Sequence, residues 1–176
     1  MNSWYTIKVK FTKEFTDGTL KRVTEPYLVS SMSFTEAEAR IYKEVAEYVR
    51  GEFLVTSIAK TEFADIFDYD DAETWYKAKL SYTTEDADTG KEKKFNHNYL
   101  VAAHNVKEAY ERLEDSLKGL LATYEIPAIA KTQIVDIFPY DPEFAAEGIP
   151  AEGQDEEEES FSSPNINVAY AADEEE

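Results

Sequence analysis

The 176 residues include no cysteine, which excludes a disulfide framework and any thiolate metal centre and suits a reducing cytosol. Glycine is scarce as well. The six present stand singly, so no glycine-rich loop can cradle a phosphate through consecutive backbone N–H groups. No apolar run approaches the roughly 18 residues that a membrane span needs. The opening Met1-Asn2-Ser3-Trp4-Tyr5-Thr6-Ile7-Lys8 lacks the basic stretch and apolar core of a secretory signal. Basic residues are missing from the last fifth of the chain: all 18 Lys and Arg precede residue 142, and residues 142–176 hold 12 of the 37 acids. Together these absences predict a soluble cytoplasmic protein whose net charge of −19 is concentrated at its end.

What is present is a repeat. Ile58-Ala59-Lys60-Thr61-Glu62-Phe63-Ala64-Asp65-Ile66-Phe67-Asp68-Tyr69-Asp70 returns as residues 129–141, with nine of thirteen positions identical at an offset of 71. Trp4-Tyr5 matches Trp75-Tyr76 at the same offset, and Tyr27-Leu28-Val29 matches Tyr99-Leu100-Val101 at 72. The chain is an internal duplication with one residue gained in a turn.

Each copy reads strand, strand, helix, strand. Tyr5, Ile7, Val9 and Phe11 alternate with Trp4, Thr6, Lys8 and Lys10, as a half-buried strand requires, and Asp17-Gly18 marks a hairpin turn before a strand from Leu20 to Val29. Pro26 has no N–H to give to a ladder, so it predicts an edge or a bulge. Ser33-Phe34-Thr35-Glu36 is a capping box opening a helix that should run to about Arg50, with Ala37, Ile41, Val45 and Val49 as its buried stripe and Gly51 as its stop. Residues 52–67 then read as one long, kinked strand. The second copy repeats the order: a strand alternating at Tyr76, Ala78, Leu80 and Tyr82, a turn over residues 85–90, a strand from Phe95 to Val101, an Asn105–Glu108 cap, and the stripe Ala109, Leu113, Leu117, Leu121.

The expected fold is therefore α+β. Two ββαβ units, residues 4–70 and 75–141, should pack about a pseudo-twofold axis into a body of residues 1–141 with an antiparallel six-stranded sheet and two helices on one side of it. Residues 142–176 read as a disordered acidic tail, too charged to offset the entropy of ordering. Inside that tail Ile166, Val168 and Tyr170 form an apolar island fit for docking on a protein partner.

Val23-Thr24-Glu25-Pro26-Tyr27-Leu28-Val29, Ser33-Phe34-Thr35-Glu36-Ala37-Glu38-Ala39-Arg40, Gly51-Glu52-Phe53 and Ile137-Phe138-Pro139-Tyr140 together make the chain similar, over about residues 3–140, to the family known as domain of unknown function 4494. That family is seen in Bacteroides-type gut bacteria and their phages. The resemblance implies a bacterial or phage cytosolic setting. It implies no activity and no catalytic residues.

Chemistry is hard to find in these residues. His97 and His104 are the only histidines, with no nucleophile motif beside them. Asp65, Asp68, Asp70 and Asp71 crowd together, but the turn glycine and terminal Glu of a calcium loop are missing. Neither enzyme, cofactor nor metal is expected. A binding face is: alternation puts Trp4, Lys8 and Lys10 on one side of the first strand, and Trp75, Lys77 and Lys79 on the same side of its repeat. The hairpins add Lys21, Arg22, Lys93 and Lys94. Flat rings beside ammonium groups suit single-stranded nucleic acid, the rings stacking on bases and the cations meeting phosphates. The expectation is a single-stranded nucleic-acid-binding accessory protein whose acidic tail competes for the face or recruits a partner. The rival is a protein-binding or inhibitory chain whose acidic surface mimics nucleic acid.

Overall fold

The computed structural model describes residues 1–120 and 122–148. In chain order they form β1 (Ser3–Glu14), β2 (Leu20–Ser31), α1 (Phe34–Ala46), β3 (Phe53–Thr61), β4 (Asp65–Phe67), β5 (Trp75–Glu85), β6 (Glu92–Ala102), α2 (Val106–Ser116), β7 (Tyr124–Lys131), β8 (Ile137–Phe138) and α3 (Pro142–Glu147). The class is α+β, with three helices and two four-stranded sheets in the orders β3-β1-β2-β8 and β4-β6-β5-β7. The expected six-stranded antiparallel sheet does not form.

The reason lies in the repeated motif. β3 runs antiparallel to β1, and its last paired residue, Thr61, sits opposite Trp4, near the start of β1. Past that point the chain has outrun its own neighbour, and its backbone polar groups need partners elsewhere. It crosses to the other sheet, where the Ala64 N–H donates to the Asn98 carbonyl at 2.7 Å and β4 pairs in parallel with Tyr99–Val101. The second copy does the same in reverse. β7 ends beside Tyr76, the Val135 N–H donates to the Pro26 carbonyl at 2.9 Å, and β8 pairs in parallel with Leu28 and Val29. Each half thus lends its last strand to the other's sheet. Asp65 and Asp136 fix the two crossings alike, each carboxylate accepting from the next residue's N–H at 2.8 Å. Residues 52–67 are therefore two strands, not one. Pro26 precedes the two residues that β8 pairs, and its carbonyl turns to that outer side to accept from Val135; its missing N–H would point the same way, so the ladder to β1 loses nothing, which explains its tolerance there.

Both helices open as expected. The Ser33 hydroxyl accepts from the Glu36 N–H, and the Glu36 carboxylate from the Met32 N–H; the Asn105 side chain and Glu108 make the equivalent pair of bonds at α2. α1 stops at Ala46, short of Arg50, where the bonds tighten to i→i−3, Glu47 N–H to the Glu44 carbonyl and Tyr48 N–H to the Val45 carbonyl. Ala37, Ile41, Val45 and Val49 pack on Tyr5, Ile7, Val9 and Phe11 in one core; Leu113 and Leu117 pack on Ala78 and Leu80 in another. Ala109 joins Tyr76 and Ala103. Leu121 lies outside the described residues.

A further cluster joins the halves. Leu28, Ala72, Trp75, Leu100, Ala102 and Ile137 are buried together, with Trp4, Phe63, Ile66, Tyr69 and Ile134 packed against them. These come from the sheet faces turned away from the helices and from the crossing segments. The layers therefore run helix, sheet, sheet, helix, and the helices do not share one side. The stretch expected to be tail from residue 142 begins instead with α3. Asp141 caps it, accepting from the Glu143 and Phe144 N–H groups, and Phe144 is buried beneath the Arg40 and Lys43 side chains, 5.6 and 5.0 Å from its ring centre. Ile166, Val168 and Tyr170 lie outside the described residues.

Candidate nucleic-acid interface

Charge is segregated by element. The six long strands β1, β2, β3, β5, β6 and β7 carry eleven Lys and Arg against five Asp and Glu. Residues 1–148 as a whole hold 18 basic and 27 acidic residues. The acids collect on the helices and crossings, leaving the strands basic within an acidic body.

Most of the expected cations are free. Lys8, Lys10, Lys21, Arg22, Lys77 and Lys79 have no carboxylate within 4.0 Å among the described residues, whereas Lys93 pairs with Asp86 at 3.0 Å and Lys94 with Glu125 at 3.7 Å. Lys8, Lys77 and Lys79 are exposed; Lys10 is half-buried. Lys21 and Arg22 lie apart from them at the tip of the first hairpin, where Lys21 sits over the Phe15 ring at 5.5 Å.

The two tryptophans divide. Trp75 is 4% exposed, inside the cluster between the sheets, and so cannot stack on a base. Its role is structural. Trp4 is only partly buried, and one side of it lines an open groove of about 400 Å³. That groove lies where the halves meet. Trp4, Lys60 and Phe63 come from the first copy and Asn96 and Asn98 from the second, and Lys79 is the cross-strand neighbour of Asn98. Sequence reading paired Trp4 with lysines of its own strand and missed Lys60, Asn96 and Asn98, because it placed no β3–β4 crossing beside β6. The signal was present in the repeated motif containing Lys60, had it been read as an exchanged strand.

The histidines separate too. His97 is held by the Tyr82 hydroxyl at 2.8 Å. His104 meets Asp71 and Glu108, three possible ligand atoms within 4.8 Å of one another. A guanidinium already sits on both carboxylates: Arg112 is 2.6 Å from Asp71 and 2.7 Å from Glu108, donates to the Ala102 carbonyl, and stacks on Tyr69 at 4.2 Å. The Arg112 hydrogen bond holds the Asp71 carboxyl below its usual range, while the hydrogen bond to Glu108 raises the His104 imidazole. The first copy repeats this device at an offset of 72. Arg40 donates to the Pro139 carbonyl at 3.3 Å and reaches Asp141 at 4.0 Å. Each arginine thus pins the end of the other copy's exchanged arm.

The chain belongs to the family described as Domain of unknown function (DUF4494), whose model matches residues 3–140. No curated protein and no solved structure matches it. Among the described residues no helix is long and apolar enough to cross a membrane.

Proposed function

We propose that this protein binds single-stranded nucleic acid without catalysing a reaction, as a cytoplasmic accessory factor of bacterial or phage nucleic-acid metabolism. The observation that carries the reading is a set of lysines with no carboxylate within 4.0 Å among the described residues, Lys8, Lys60, Lys77 and Lys79, on strands around the partly buried Trp4 indole in a body otherwise acidic. Phosphates release counterions as they meet such ammonium groups, and a ring offers sequence-tolerant stacking. Trp75 drops out of the face. Residues 149–176, with ten acids and no base, act as an intramolecular competitor for the same lysines.

The test is fluorescence anisotropy of a labelled oligo-dT with the full chain and with residues 1–148, a boundary that keeps α3 intact. Saturable binding is expected, weakening with salt and tighter for the shorter chain. Lys8→Ala and Lys79→Ala should each weaken it and flatten the salt dependence. No saturable binding at tens of micromolar protein and about 50 mM salt overturns the reading in favour of a protein partner for the acidic surface.

A further inference from the structure

The duplication supplies an internal control for the groove beside Trp4. At the equivalent place in the other half, Trp75 stands for Trp4, Lys131 for Lys60, Ile134 for Phe63 and Lys8 for Lys79, while Asn96 and Asn98 are replaced by Thr24 and Pro26. That second place is shut, with Trp75 and Ala72 buried together. The open copy alone carries two exposed amides on one sheet face, since Asn96 and Asn98 are two residues apart on β6. Beside them Ser81, the cross-strand partner of Asn96, is 3% exposed and its hydroxyl has no hydrogen-bond partner among the described residues. The amides have no structural bond to make either: none of the side-chain hydrogen bonds of the described residues involves them. Two copies of one fold have diverged so that one end is packed and the other keeps a ring and two amides lining a groove, with Lys60 and Glu62 at its wall and Lys79 beside Asn98.

We infer that this groove is a base-selective subsite for an unstacked purine of a bound strand, with adenine the preferred base. This rests on the single-strand reading above and deepens it. The Trp4 indole supplies the stacking surface, and Lys60 and Lys79 meet the flanking phosphates. An Asn side chain presents a carbonyl acceptor and an NH2 donor side by side, matching the N6 donor and N7 acceptor of adenine; guanine offers two acceptors at the same edge and leaves the amide oxygen unpaired. Leaving a polar atom unpaired against the wrong base is the stronger source of discrimination.

The experiment uses the full chain and two labelled oligomers of about 12 nucleotides, one of thymine only and one with three adenines in the same background. The adenine-containing strand should bind about tenfold tighter, within the discrimination one bidentate contact gives. Asn96→Ala with Asn98→Ala should abolish that preference, so that the two strands bind with the same affinity, while the fold stays intact because both side chains are exposed and make no hydrogen bond among the described residues. In a Trp75→Phe chain the remaining Trp4 emission should be quenched by the adenine strand and much less by the other. Equal binding of both strands, or a preference that survives the double substitution, overturns the subsite while leaving single-strand binding standing. Failure of both strands to bind counts against the single-strand reading itself. Free adenosine monophosphate binding as tightly as the oligomer would also overturn the inference, making the ligand a nucleotide and not a strand.

Discussion

Arg112 shows how one side chain can hold two copies of a repeat together. Its guanidinium bonds the Ala102 carbonyl at the end of β6, the Glu108 carboxylate on its own helix and Asp71 from the crossing segment of the first copy. His104 enters the same group through Glu108, at 2.8 Å, and that contact has a pH signature. Because the bond to Glu108 raises the folded imidazole above its ordinary value of 6.5, the stabilisation it gives is complete below that value. It is lost as pH rises through the higher folded value. In a proton NMR titration the His104 midpoint should lie above that ordinary value of 6.5, and Glu108→Gln should bring it down. A His104 midpoint unmoved by Glu108→Gln would show that the contact does not set the titration. The carboxylate also pairs with Arg112 at 2.7 Å, and Gln keeps the cap but not that charge, so the variant should lower the melting temperature at neutral pH.

At the scale of elements, the sequence was legible wherever a signal is local. Strand alternation, the two hairpin turns, both caps and the helix stripes as far as Val49 and Leu117 are set within a few residues, and Ser33, Asn105, Ile41 and Leu113 do what their types and spacing imply. Partnership over long separations was not legible. Nothing in Ile137-Phe138 distinguishes a strand that closes its own sheet from one that pairs with Leu28 and Val29 of the other copy. Likewise the alternation that put Trp75 beside Lys77 and Lys79 was correct about the sheet face, but that face is half interface. α3 escaped notice because it is six residues long and its support is tertiary. Asp141 and Pro142 give the start of a helix; only Arg40 and Lys43 give it something to lie on. Phe144→Ala should therefore cost about 1–3 kcal/mol, the usual value of one buried aromatic side chain, measured by urea unfolding of the full chain. A change below a few tenths would mean that α3 is not part of the folded body.

For the whole molecule, exchange makes the two copies one cooperative unit. A fragment of residues 1–71 would lack β8 along β2 and expose Leu28, and a fragment of residues 72–148 would lack β4 along β6 and expose Trp75 and Leu100. Neither fragment should give a folded spectrum alone, and the intact chain should unfold in a single transition with coincident far-ultraviolet and tryptophan signals. Two separated transitions would show that the halves are independent. The repeat arithmetic suggests two modules; the hydrogen bonds describe one.

The same exchange bears on how the protein is made. Leu28 waits for Ile137, which a ribosome adds 109 residues later, and at the usual pace of roughly 5–20 residues per second that delay is on the order of 5–20 s. Throughout it the nascent N-terminal half carries a strand edge that its own sequence cannot close. A second nascent chain on the same message could offer that edge a β8 of its own, so synthesis on crowded polysomes is where this fold is most open to trading arms between molecules.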